Sequence, residues 1–170
     1  MTRNQAHRLA CLGGALALLA LAGCDRAPLH GPPALRLGRD ECRECGMIIS
    51  EDRCCSALLL ERAARREYAL FDDLGCMLDA ERAGLDGAAI VERHVHDHAG
   101  GGWLAAESAV YLLTTSDKLV TPMASGMIAF ADRNAAHSAQ AAHGGELLDY
   151  RALGEARRAW HEQHRRSAGG

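Results

Sequence analysis

The sequence predicts an α+β domain built from two similar ββαβ units in series. Each half has two short apolar segments, then apolar residues at helical spacing, then another short apolar segment. Each half also has a Phe and an Asp where the second strand leads into the helix, at Phe71 and Asp73 and at Phe130 and Asp132. An Asp there can cap a helix by accepting backbone N–H groups. The repeated order indicates an internal duplication.

The first unit is predicted to span residues 38–100. A charged turn separates its first two strands. The Asp72-Asp73 pair opens its helix, and Gly84 and Gly87 stop the helix. The three strands of this unit are predicted over residues 54–60, 67–71 and 88–96.

The second unit is predicted to span residues 101–152, in the same order of strand, strand, helix and strand. The corresponding segments are residues 103–115, 126–130, 132–142 and 146–150. Residues 153–170 are polar and rich in Arg and His, which predicts a short helix that frays into a C-terminal tail.

The N-terminus predicts export and lipid anchoring. Residues 1–23 carry two Arg before an apolar run that is too short to span a membrane and has the length of a signal-peptide core. The run ends in Leu-Ala-Gly before Cys24, which resembles a bacterial lipobox, so Cys24 is the predicted lipidation site. Asp25 favours retention at the inner membrane. The Pro-containing residues 24–37 are predicted to link the lipid to the folded domain.

Composition directs attention to soft-metal or thiol chemistry. The 170 residues are 48% hydrophobic and 4% aromatic with a formal charge of −3, and they include seven Cys, five Met and nine His. The sequence has no basic stripe of the kind that nucleic-acid binding needs, so no nucleic-acid partner is expected.

The segment from Cys42 to Met47, Cys-Arg-Glu-Cys-Gly-Met, carries the main chemical motif. Two thiols three positions apart can converge around a turn, and Gly46 allows a left-handed backbone there. Thiolate and thioether sulfurs are soft donors that favour Cu(I). Two alternatives remain open at this stage. Cys42 and Cys45 could be the redox pair of a periplasmic thiol-disulfide oxidoreductase, or a structural disulfide that staples the fold.

Two further sets of candidate ligands lie elsewhere in the chain. Met123 stands in a Pro- and Gly-containing loop outside any apolar periodicity. His94 and His96 alternate near a strand end, followed by His98, and imidazoles at this spacing could hold a second metal such as Zn(II). A solvated His-rich loop explains the same pattern equally well. Met77 is predicted to be core.

These features together resemble the NosL copper chaperones, lipoproteins that serve nitrous oxide reductase. The resemblance runs in order across the chain after the leader. It rests on the lipobox, the Cys42–Met47 motif, Tyr-Ala-Leu-Phe-Asp-Asp at 68–73, Trp-Leu-Ala-Ala at 103–106, Thr-Pro-Met-Ala-Ser-Gly at 121–126 and Ile-Ala-Phe at 128–130.

The resemblance implies a fold of two ββαβ units shared with a domain of organomercurial lyase. It implies a non-enzymatic periplasmic protein that binds Cu(I) and passes it to nitrous oxide reductase, with help from a membrane ABC-type maturation complex. Cys45, Met47 and Met123 match the family's ligand positions, and Cys42 matches the motif with a weaker claim to be a ligand. Cys54, Cys55, Cys76 and the histidines depart from the family pattern.

Overall fold

The computed structural model describes residues 29–168. The predicted signal peptide, the lipidation site Cys24 and Asp25 lie outside this part of the chain. In chain order the elements are β1 (Ser56–Arg62), β2 (Arg65–Phe71), α1 (Leu74–Ala83), β3 (Ala89–His96), β4 (Trp103–Ala105), β5 (Val110–Leu113), β6 (Met127–Phe130), α2 (Arg133–His143), β7 (Glu146–Leu148) and α3 (Tyr150–Ala168).

The strands form two antiparallel sheets that confirm the α+β prediction. The first sheet has the order β2-β1-β3-β4, and the second has the order β6-β5-β7. In each sheet, the first strand of the unit lies between its second and third strands. The two halves therefore have the same spatial arrangement of strands, and each follows the chain order of strand, strand, helix and strand that the repeated sequence pattern predicts.

The strand-to-helix corners have the predicted caps. The Asp73 carboxylate accepts a hydrogen bond from the backbone N–H of Gly75, and the Asp132 carboxylate accepts one from Ala135. Each bond satisfies an N–H that has no partner inside the helix. Gly84 ends α1 in the left-handed conformation with φ of 93°, which glycine adopts at little cost.

The single strand predicted over residues 103–115 is instead broken in two. Its first part, β4, pairs with β3 of the first sheet, with Trp103 opposite His96. A short 3-10 turn over Ala106–Ser108 then leads to β5 in the second sheet. The buried Tyr111 hydroxyl donates to the Ala106 carbonyl at 2.7 Å and fixes this turn. Although the sequence boundary at residue 101 assigned β4 to the second unit, its hydrogen bonds place it in the first sheet.

Side chains from both units fill the main hydrophobic core. Phe71 and Met77 from the first unit pack with Tyr111 and Met127 from the second, which confirms that Met77 is core. A smaller core on the other face of the second sheet packs Ile128 and Phe130 with residues of α2. Alternate side chains of β5 and β6 point into the two cores, so the second sheet lies between them and contributes to both.

Residues 29–37, assigned from composition to the linker, lie along the first sheet. The Tyr68 hydroxyl donates to the Gly31 carbonyl at 2.7 Å, and the Gly31 N–H donates to Glu92 at 2.9 Å. Pro33 is buried. Side chains of the sheet thus supply the hydrogen-bond partners that this segment cannot find within itself.

The C-terminal residues form a long helix rather than a fraying tail. Leu153 of α3 is fully buried in the main core. Farther along, the Arg157 guanidinium donates two hydrogen bonds to Asp79 of α1, at 3.0 and 2.7 Å, and His161 contacts the same carboxylate. No helix within residues 29–168 combines the length and the apolar character needed to cross a membrane.

Replacing Asp79 with Asn should destabilise the packing of α3 on α1. Burial raises the pKa of Asp79, but hydrogen bonds from Arg157 and His161 outweigh this and hold the pKa below its ordinary value. The carboxylate therefore stabilises the fold above about pH 4, and its contribution is lost as the pH falls through the lowered pKa. We expect Asp79→Asn to cost about 2 kcal/mol at pH 7 in chemical denaturation.

The matched control is Asp86→Asn, whose carboxylate is exposed and makes only a long contact of 3.5 Å with Arg43. Its effect should stay within about 0.5 kcal/mol. Equal costs for the two substitutions at pH 7 would contradict the assigned role of Asp79.

Candidate metal centre

The Cys42–Met47 segment forms a tight turn closed by backbone bonds. Glu41 and Ile48 bridge its ends as an antiparallel pair. The N–H of Cys42 donates to the Met47 carbonyl, and the N–H of Gly46 donates to the Cys42 carbonyl, both at 2.8 Å. Gly46 has a φ of 74°, as predicted, and this conformation strains any residue with a Cβ. The turn brings the two thiols of the motif to one side.

Four donor atoms converge beneath this turn. The sulfurs of Cys42, Cys45 and Cys76 and a carboxylate oxygen of Asp72 all lie within 4.8 Å of one another. We call these residues the four-donor group. Asp72 comes from the corner between β2 and α1, and Cys76 comes from the first turn of α1. All except Cys45 are buried.

The thiols of the four-donor group differ in acidity. The Cys76 thiol hydrogen-bonds to Cys42, and the N–H groups of Cys45 and Asp72 also point at the Cys42 sulfur, which together lower the pKa of Cys42 to about 7 against the effect of burial. The hydrogen bond with Cys42 and burial raise the pKa of Cys76. Burial raises the pKa of Cys45 as well. The turn therefore favours a thiolate at Cys42, the form that binds metals.

Asp73, next to the four-donor group, ties the Met123 loop to the first unit. Its fully buried carboxylate accepts from the Thr121 hydroxyl at 2.8 Å and from the Met123 N–H at 3.0 Å, besides capping α1 at Gly75. A Cβ built on Gly75 would lie 2.9 Å from the Ser125 Cβ, so a larger residue at position 75 would push this loop away. The loop is thus held at the N-terminus of α1.

A pocket of about 290 Å³ opens between the turn and this loop. Its lining includes Met47 on one side, Val120 and Pro122 on the other, and Asp72 of the four-donor group. The side chains of Met47 and Met123 are 51% and 42% exposed. The thioethers of Met47 and Met123 are thus both accessible. Met47 belongs to the turn whose Cys45 thiol bonds to Asp72, and Met123 belongs to the loop that bonds to Asp73.

The chain was compared with known families and structures. A family model described as NosL matches residues 36–157. The chain belongs to the NosL family. A copper-binding lipoprotein NosL from Stutzerimonas stutzeri is 27% identical over 168 residues, which cover 90% of this chain and 85% of that protein. The crystal structure of the copper chaperone NosL from Shewanella denitrificans covers 70% of this chain and 95% of that one, with a TM-score of 0.54 and 21% identity, and shows the same fold.

The NosL fold brings some of the predicted site residues together. Cys42 and Cys45 lie in the four-donor group, and Met47 follows on the same turn. The Met123 N–H donates to Asp73, which holds Met123 near the N-terminus of α1. Sequence reasoning missed Asp72 as a candidate ligand and noted Cys76 only as an extra donor outside the family pattern. Their position around the predicted helix cap was the available signal, because a helix N-terminus favours thiolates and other anions.

His94 and His96 lie apart from the four-donor group. Both are buried and pack edge-on against Trp103, with ring centroids 6.4 and 5.3 Å away. His94 Nε2 lies 3.0 Å from Glu92, and His96 Nε2 lies 3.6 Å from Asp52. Among residues 29–168, only the four-donor group has three or more such donors within 4.8 Å of one another. A second metal at the histidines stays a prediction.

The remaining cysteines of the described chain serve packing. Cys54 lies in the smaller core, and Cys55 donates to the Glu51 carbonyl at 2.9 Å. Burial raises the pKa of Cys54 to about 12 and raises that of Cys55, so both stay protonated thiols.

Cys42 and Cys45 are free thiols as well. Their turn precedes β1 rather than opening a helix, unlike the redox pair of a thioredoxin-like enzyme.

Replacing Asp73 with Ala should release the Met123 loop. Two buried hydrogen bonds and one partly buried hydrogen bond lose their acceptor, so we expect a loss of roughly 3 kcal/mol in the free energy of unfolding. The protection of the Met123 amide against hydrogen exchange should fall together with this loss.

The control is Asp132→Ala at the equivalent corner of the second unit. Asp132 is exposed, and its side chain caps only Ala135, at 2.8 Å. Its replacement should cost about 1 kcal/mol and leave Met123 protected. If the Met123 amide stays protected against hydrogen exchange in Asp73→Ala, Asp73 does not hold the Met123 loop in place.

Proposed function

We propose that this NosL-family protein is a periplasmic copper chaperone that carries Cu(I) as cargo on Cys45, Met47 and Met123. One observation carries the proposal: Met47 and the residues just before Met123 line a common pocket, and Cys45 and Met123 hydrogen-bond to the adjacent carboxylates of Asp72 and Asp73. Cys45 is the only thiol of the four-donor group that is not buried. It is therefore the thiol of this group that a ligand at the surface can reach.

The chemistry of these donors suits Cu(I). One thiolate and two thioethers form a soft ligand set, which prefers Cu(I) to the harder divalent ions. A thioether has no proton to lose, so only Cys45 makes binding depend on pH. The copper-binding lipoprotein and the copper chaperone to which this chain is similar carry names that agree with this proposal.

The surroundings of the pocket suit transfer of the ion. Val120 is 88% exposed and Ile48 is 48% exposed, and both line the pocket together with Met47. Exposed apolar patches typically mark contact surfaces for other proteins. A partner docked here would exclude water while its own ligand replaces a thioether. Transfer then proceeds by ligand exchange and needs no catalytic turnover, so the proposed protein is not an enzyme.

The proposed destination of the ion is nitrous oxide reductase, reached with the help of a membrane ABC-type maturation complex. Two acyl chains on Cys24 would hold the protein at the membrane, with Asp25 favouring the inner membrane. Each buried methylene contributes about 0.8 kcal/mol, so a dual anchor is stable where a single chain is not. Anchoring raises the local concentration of the chaperone near a membrane partner.

Titration with Cu(I) against a chromogenic chelator tests the ligand set. Met47→Ala and Met123→Ala should each weaken binding by about tenfold or more, equivalent to roughly 1.4 kcal/mol. Cys45→Ser should have the largest effect, because it removes the charged ligand. Copper content of nitrous oxide reductase in cells carrying these variants should fall in the same order.

Two controls separate ligand loss from general damage. Val120→Ala shortens an exposed apolar side chain beside the same pocket without removing a soft donor. Cys54→Ser removes a buried thiol outside the four-donor group. Both should keep the affinity of the unmodified protein, and an unchanged affinity in Cys45→Ser would refute the proposal.

Substitution of Cys24 by Ser tests the anchor. The variant should move from the membrane fraction to the soluble periplasmic fraction and should lose labelling by radioactive fatty acid. Since residues 29–168 supply the proposed copper site, Cu(I) affinity should not change. A variant that stays in the membrane fraction would refute anchoring through Cys24.

A further inference from the structure

Two buried thiols behind Cys45 play no part in the ligand set proposed above. Cys42 and Cys76 are 2% and 5% exposed, and their sulfurs lie within 4.8 Å of each other and of Cys45. Buried cysteines are common in protein cores as small apolar residues. Here, however, three thiols converge on one point together with the buried carboxylate of Asp72, which an apolar core has no reason to contain.

We propose that Cys42, Cys45 and Cys76 form an inner Cu(I) site, which shares the Cys45 sulfur with the outer site of Met47 and Met123. The identity of the ion rests on the function proposed above. The protein then holds two Cu(I) ions, one among buried thiolates and one beneath the exposed thioethers. Cys45 bridges them, because its sulfur lies within the four-donor group while Met47 lies two positions farther along the turn.

The backbone around the inner site favours negative sulfur. Cys76 lies in the first turn of α1, where the helix dipole stabilises anions. On loading, each thiol releases its proton to water. Three thiolates and the Asp72 carboxylate carry four negative charges, and two Cu(I) ions reduce the net charge to −2, which is easier to bury than four unpaired negative charges.

The arrangement gives the ion a path between a protected and an exposed position. At the inner site, water and competing ligands are excluded by burial. Cys45 can pass the ion outward by exchanging one sulfur at a time, without releasing it to solvent. The Cys45 thiol donates a hydrogen bond to the Asp72 carboxylate at 3.7 Å, which orients this sulfur before the ion arrives and the thiol proton passes to water.

The test measures how many Cu(I) ions the full-length, reduced protein binds in detergent, by chelator competition and by the ultraviolet absorption of Cu(I)-thiolate bonds. The unmodified protein should bind two equivalents. A Cys42→Ser/Cys76→Ser variant should bind one and lose most of the thiolate absorption. A Met47→Ala/Met123→Ala variant should also bind one but keep most of that absorption.

Matched controls keep the result interpretable. A Cys54→Ser/Cys55→Ser variant removes two equally buried thiols outside the four-donor group and should still bind two ions. If the Cys42/Cys76 double variant does not fold, as judged by circular dichroism, the single Cys42→Ser and Cys76→Ser variants replace it. Each should weaken the second equivalent by about tenfold or more.

The outcomes separate this inference from the proposed function. One equivalent that depends on Met47 and Met123 but not on Cys42 and Cys76 overturns the inner site and leaves the outer one intact. One equivalent that depends on Cys42 and Cys76 alone supports the inner site and refutes the outer set. If the protein binds no Cu(I), both the inner and the outer site are refuted. If Zn(II) occupies the thiols and added Cu(I) does not displace it, the inner Cu(I) site is overturned.

Discussion

The buried carboxylate of Asp73 is the interaction on which the arrangement of the site depends. It caps α1 at Gly75 and binds the loop of the second unit through the Thr121 hydroxyl and the Met123 N–H. Burying a carboxylate is costly unless hydrogen bonds compensate it, and here three short bonds do so. Because these bonds join the two units at one point, the Met123 loop has a fixed position relative to the thiols.

The neighbouring Asp72 lies at the same corner between β2 and α1 and belongs to the four-donor group. One residue before the cap, its side chain lies with the thiols of the Cys42–Met47 turn, and one turn of helix later Cys76 joins them. The N–H of Arg43 donates to the Leu70 carbonyl at 2.8 Å and docks the turn against β2. A corner that is needed for folding thus also positions the donors, so stability and metal binding share one set of residues.

Burial divides the soft donors of this protein into two environments. Cys42 and Cys76 lie inside the main core with Phe71 and Met77, where water does not compete for a bound ion. Met47 and Met123 lie at the surface, where a second protein can reach them. Cys45, partly exposed, stands between these environments. The proposed chaperone function needs both retention and release, and this gradient of exposure provides both across the proposed inner and outer sites.

The sequence by itself determined the class of fold, the order of elements in both units, the caps at Asp73 and Asp132 and the left-handed glycine at position 46. These features depend on residues close together in the chain, such as apolar periodicity and local hydrogen bonds. The motifs also sufficed to recognise the NosL family. The sequence did not predict the break at Ala106, the docking of α3 through Leu153 or the packing of residues 29–37 on the first sheet, because each depends on partners far away in the sequence.

Only the tertiary structure decided which donors meet. Cys76 and Met77 stand side by side in the sequence, yet the cysteine joins the four-donor group while the methionine is plain core. His94 and His96, prominent in the sequence, pair with acidic residues and Trp103 instead of converging with the thiols. The physical reason is that metal sites collect side chains from separate elements, and their convergence is set by the packing of helix, sheet and turn rather than by spacing along the chain.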